Sequence, residues 1–164
     1  MVDKIKKTLD RTILFTSSIL LIVLVLGALW QVFSRYILSS PSTFTNELLG
    51  FLLVWVSLLG ASYAFGSNEH LSLTFVVDKL KGKNKLLITI INDIFILVFA
   101  VLVLIKGGLE AVNMTMSQLT PVLGIQMGLV YSILPISGFI IVAYKLLDVK
   151  KYIGLPNEVG DQRE

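Results

Sequence analysis

The chain contains no cysteine, which excludes disulfide frameworks, thiolate-bound metals and cysteine-based redox chemistry. It has one histidine, His70, too few for a haem held between two histidines of a single chain. Charge is scarce: 15% of residues are Asp, Glu, Lys or Arg, against about 25% in ordinary soluble domains. There is no glycine-rich phosphate loop, no zinc-protease pair of histidines and no paired aspartates of an intramembrane protease. No catalytic residue, metal ligand or cofactor is therefore expected, and the chain reads as a non-enzyme.

What is abundant is apolar side chain. Hydrophobic residues make up 55% of the 164, and the mean hydropathy is +0.83. A soluble domain of this size has too much surface to hide so much of it. Four runs carry the excess, at about 12–33, 44–66, 86–105 and 122–147. Each meets the roughly 20 residues that a helix needs to cross a ~30 Å hydrocarbon core. The runs are continuous rather than alternating, and four strands cannot close a barrel. The fold class expected is an all-α integral membrane protein with four transmembrane helices. Residues 1–150 form its membrane domain, and 151–164 form a polar cytoplasmic tail.

Lys and Arg divide unevenly among the segments flanking these runs. The successive counts are four, one, four, one and four, which accounts for all 14. The positive-inside rule then places both termini and the middle connection in the cytoplasm. The net charge of +3 is assigned to topology and not to nucleic acid. Two flanking pieces read as amphipathic helices lying on the cytoplasmic membrane surface. In residues 2–13, Val2, Ile5, Leu9 and Ile13 share a face; beyond the second run, Leu73, Val76, Val77 and Leu80 do the same. The bland alternative is that each simply extends a membrane helix.

Polar residues inside a bilayer are costly and mark packing contacts or function. Asp93 lies about 10 Å of helix rise into the third run. It reads as a hydrogen-bonded packing residue, with Ser17, Ser18 or Tyr63 as partner, in preference to an ion or proton site. Arg35 and Glu47 flank the first turn; they either pair with each other or meet another subunit. His70 reads as a polar anchor at the inner interface. Trp30 fits an aromatic belt, whereas Trp55 is too deep for one and reads as a packing anchor. Gly124 with Gly128, and Gly60 with Ala64, have the spacing of small residues at close helix contacts. Pro135 is expected to kink the fourth helix.

The segment Trp30-Gln31-Val32-Phe33-Ser34-Arg35-Tyr36, then Thr45-Asn46-Glu47-Leu48, Trp55, Gly60-Ala61 and Glu69-His70, resembles the DctQ-type small membrane subunit of tripartite ATP-independent periplasmic (TRAP) transporters. So does Pro121-Val122-Leu123-Gly124-Ile125 with Gly128. The family often shows two adjacent acids at the start of the second helix; here the pair is Asn46-Glu47. The resemblance implies a role beside a large elevator-type membrane subunit in a 1:1 complex. It also implies a soluble periplasmic binding protein, sodium-driven uptake of an organic acid, and membrane lipid around the bundle. The competing reading is a self-contained homo-oligomeric transporter or channel; the small four-helix exporters, however, place an acid in the first helix, and this run has none. A respiratory anchor is disfavoured by the single histidine.

Overall fold

The computed structural model describes residues 2–40, 42–66 and 83–153. In chain order they form α1 (Val2–Tyr36), α2 (Thr43–Gly66), α3 (Lys83–Phe99), a π-helical segment π1 (Ala100–Gly107), α4 (Gly108–Thr115), α5 (Met127–Tyr131) and α6 (Ile133–Ile153). Four stretches are long and apolar enough to span a membrane: Lys4–Tyr36, Thr43–Gly66, Ile90–Thr115 and Met127–Leu147. The protein is an all-α, four-span membrane protein.

Three boundaries differ from the sequence reading. Residues 2–13 are not a separate surface helix but the first turns of α1, which runs unbroken for 35 residues. Nothing in that stretch is a helix breaker, so the hydrogen-bond ladder continues where the apolar run ends. The third span continues through Lys106 to Thr115, because a helix needs backbone bonds and not apolar side chains to persist. The fourth begins at Met127 and is interrupted at Ser132, between α5 and α6. Pro135 lies three residues beyond; lacking an N–H, it cannot complete the ladder there. Ile136 N–H resumes the helix by donating to Ser132 O at 3.2 Å. His70, the 73–80 pattern and the tail beyond 153 lie outside the described residues.

The fourth span is the hub. Of its most apolar window 44% is buried, against 6% for α1. One apolar cluster joins Ile13, Leu59, Ile133 and Tyr144, and so brings α1 and α2 onto the fourth span. A second joins Ile96, Ala100, Leu104 and Ile141, and brings α3 and π1 to it.

The π segment has a packing explanation. Ile96, Ala100, Leu104 and Gly108 are all buried at a spacing of four residues. In a regular α-helix at 3.6 residues per turn, each such step rotates the side chain by about 40°, and the stripe would wind off its neighbour. The i→i+5 bonding of a π-helix widens the turn and turns the stripe back. The backbones then come close: a Cβ on Gly108 would lie 2.8 Å from Pro135 Cδ, and one on Gly138 would lie 3.1 Å from Ala100 O. Both contacts require glycine.

Candidate functional site

The bundle has two polar ends. At one, α1 turns into α2 and meets the loop between α4 and α5. Glu47, in the first turns of α2, accepts two consecutive backbone N–H groups on a single oxygen. Val122 donates at 3.0 Å and Leu123 at 2.8 Å, both to Oε2. Two amides aimed at one carboxylate make a small anion-binding nest.

The loop that supplies those amides is a closed strap. Leu119 and Gln126 form an antiparallel bridge. Met127 N–H donates to Gln118 O at 2.9 Å and Thr120 N–H to Ile125 O at 2.8 Å. The Thr120 hydroxyl accepts Ile125 N–H at 3.1 Å, which explains why Thr120 is buried. Gly124, at φ +65, reverses the chain, and its N–H reaches Thr120 O at 3.1 Å. Glycine occupies that left-handed region without the steric cost of a Cβ.

Beside the strap, Gln31 Nε2 donates to Asn46 Oδ1 at 2.9 Å and ties α1 to α2. A shallow cavity of about 450 Å³ opens here, lined by residues that include Arg35, Asn46, Glu47 and Pro121. Arg35 and Glu47 thus share one cavity, but no ion pair joins them among the described residues. The Glu47 oxygen that bonds is held by the strap instead. Asn46 serves as a neutral acceptor for Gln31.

At the opposite end, consecutive residues of α6 reach two different helices. Tyr144 Oη donates to Asp10 Oδ1 of α1 at 2.5 Å. Lys145 Nζ lies 2.6 Å from Asp93 Oδ1 of α3. The Tyr144 ring is fully buried and occupies the space a side chain at Gly66 would need. Lys145 is 3% exposed as a residue, and the Asp93 side chain is 28% exposed. The partner of Asp93 is therefore a charge on the fourth span, not Ser17, Ser18 or Tyr63. Ser17 Oγ is buried without a hydrogen-bond partner, and Ser18 faces outward. A cationic partner makes the aspartate tolerable in the bilayer, because the pair is neutral where a lone acid costs about 2.5–3.5 kcal/mol on the insertion scale.

The remaining candidates separate. Trp55 Nε1 donates to Val130 O at 3.0 Å. That carbonyl sits at the interruption between α5 and α6, so the indole ties α2 to the fourth span at its break. Gly128 does make a close contact: its Cβ would lie 2.8 Å from Val112 O. Gly124 does not, because it is a turn residue and not part of a helix face. A methyl at Gly60 would meet no other group of this chain within 4 Å, while Ala64 is half-buried. Sequence reading missed the clamp at Asp10 and Tyr144. It also missed the pairing of Asp93 with Lys145, for which the available signal was the scarcity of charge: the two lie in different apolar runs, and each needs a partner of opposite sign.

The family model for the DctQ component of tripartite ATP-independent periplasmic transporters matches residues 24–152, which include the strap, Glu47 and the Asp93–Lys145 pair. The chain belongs to this family. A Haemophilus influenzae protein named as a TRAP transporter small permease is 31% identical over 109 residues, covering 66% of this chain and 67% of that protein. The sialic acid TRAP transporter small permease SiaQ of Vibrio cholerae is 29% identical over 117 residues, covering 71% and 67%. A second Haemophilus influenzae small permease is 23% identical over 147 residues, covering 88% of each. The DctQ-type chain is accordingly a non-catalytic component of a TRAP transporter, multi-pass in the bacterial inner membrane, and its family works with a large membrane subunit and a periplasmic binding protein.

Proposed function

We propose that this DctQ-type subunit is a static scaffold that widens the wall against which a large elevator subunit slides. The observation that carries this reading is the distribution of polarity in the spans. Among the described residues, the one intramembrane ion pair, Asp93 with Lys145, is spent on holding two helices of this chain together. Meanwhile α1 and α3 present broad apolar faces, including Phe15, Ile22, Leu26 and Phe95. An elevator needs a wall rather than a second polar pathway, and apolar faces serve for docking a partner and for lipid.

In this reading the termini are cytoplasmic, as the alternating counts of Lys and Arg suggest. The strap and the Arg35–Glu47 cavity then lie on the periplasmic side, where the large subunit and the binding protein are available to them. Residues 1–150 act as one membrane unit. The complex is 1:1 with the large subunit, sodium drives uptake, and the substrate is an organic acid; the name of the Vibrio cholerae relative supports that class.

The test is reconstitution. Liposomes carrying the purified chain alone should accumulate none of a panel of sialic acid, a C4-dicarboxylate and a sugar acid. Uptake of one of them should appear only with the large subunit, the binding protein and a sodium gradient together. Accumulation by the chain alone would overturn the scaffold reading in favour of a self-contained homo-oligomeric transporter. Reporter fusions after Gly82 and Ser40 should report cytoplasm and periplasm respectively.

A further inference from the structure

The first three turns of α1 gather four cationic residues, Lys4, Lys6, Lys7 and Arg11. At 35 residues, α1 is about 52 Å long and overshoots a ~30 Å hydrocarbon core. Lys4, Lys7 and Arg11 are exposed, and none of the three is in an ion pair among the described residues. Two adjoining hollows lie along this stretch. One, of about 340 Å³, is lined among the described residues by Lys4, Lys6, Lys7 and Asp10. The other, of about 560 Å³, is lined by residues that include Lys7, Arg11, Thr12 and Leu14. Lys7 and Asp10 belong to both.

We propose that this paired hollow is a binding site for an anionic phospholipid that carries two phosphates, of the cardiolipin type. Among the described lining residues, Lys4 and Lys7 in the first hollow and Lys7 and Arg11 in the second outnumber Asp10, which the Tyr144 hydroxyl engages. Two hollows sharing Lys7 match two phosphates joined by a short linker. A free phosphate or a soluble anion has no use for what lies below. Leu14, Leu21 and Val25 continue the same face from Lys7 at helical spacing, and all are exposed, at 45%, 49% and 48%. A cationic head site directly above an open apolar lane is complementary to a headgroup with its acyl chains, and clusters of Lys and Arg immediately beside a membrane span attract anionic lipid headgroups.

The experiment uses the complex of this chain with its large subunit, purified and depleted of lipid. Native mass spectrometry would follow titration with cardiolipin, with phosphatidylglycerol at equal total charge, and with phosphatidylethanolamine. The wild-type complex should retain cardiolipin in preference to the other two. The double variant Lys7→Ala/Arg11→Ala should bind it at least about tenfold more weakly. Lys106→Ala, which removes an exposed lysine elsewhere, should leave binding unchanged. Equal retention of phosphatidylglycerol would reduce the site to diffuse electrostatics and overturn the proposal. So would unchanged cardiolipin binding in the double variant, or displacement of the lipid by millimolar inorganic phosphate. Loss of the large subunit from the double variant without any change in bound lipid would point to a protein partner and would equally overturn it.

Discussion

The two ends of the bundle solve the same problem differently. At the α1–α2 end, Glu47 is satisfied by backbone: two amides of a tight strap converge on its carboxylate. At the end where α1 begins and α6 finishes, Asp10 and Asp93 are satisfied by side chains of α6, through Tyr144 and Lys145. A strap contact is set largely by local turn chemistry and lies where water can replace it. A side-chain clamp between spans has no such substitute, since Lys145 is nearly fully buried. The clamp is therefore the more fragile of the two when broken from one side.

The largest effect should follow from breaking the ion pair on one side. Lys145→Met or Asp93→Leu leaves one charge unpaired in a low-dielectric setting, a class of change that costs about 3–5 kcal/mol. Asp93→Asn should be nearly as harmful, because it removes the charge that Lys145 needs. The double variant Asp93→Leu/Lys145→Met should recover most of the lost thermal stability of the detergent-purified complex. If Asp93→Asn matches wild type in that assay, the pair is not what holds α3 to α6.

An intermediate effect is expected where the second half of the clamp is overfilled. A methyl at Gly66 would enter the Tyr144 ring, so Gly66→Ala should cost about 1–3 kcal/mol by overpacking. Gly60→Ala has open space within the chain and should leave the isolated subunit's melting temperature unchanged. A loss of large-subunit binding in Gly60→Ala alone would place that position at the partner interface.

The smallest effect belongs to the strap. Glu47→Gln retains an acceptor and should cost less than Glu47→Ala, which removes the partner of two amides and should cost about 1–2 kcal/mol. Limited proteolysis around residues 118–127 reads this directly, because the strap should be cut faster in the alanine variant. Equal cutting rates in wild type and Glu47→Ala would mean that the strap's own bonds suffice.

Much of the architecture was legible because hydropathy acts residue by residue. Each apolar run had the length to cross a bilayer, and the helical fold class followed from the need to satisfy backbone groups internally. The importance of Glu47 was legible too, as a charge placed at the start of an apolar run. Its partner was not, because Val122 and Leu123 contribute amides that every residue except proline possesses. The small-residue spacings were a poor guide. Gly124 and Gly128 look alike in sequence, yet one turns a loop and the other lets α4 and α5 approach.

The sequence by itself determined that the chain spans a membrane four times as helices, and, through an ordered set of residues, the family to which it belongs. These depend on local quantities: the transfer free energy of each side chain and the intrahelical bonding of each backbone group. Only the tertiary structure decided that Asp93 meets Lys145, that Tyr144 spans to Asp10, and that the third span widens into a π-helix to keep one stripe of side chains on its neighbour. Those outcomes depend on the rotation and depth of one helix against another, and a small change in either alters which side chains meet without altering the hydropathy of any run.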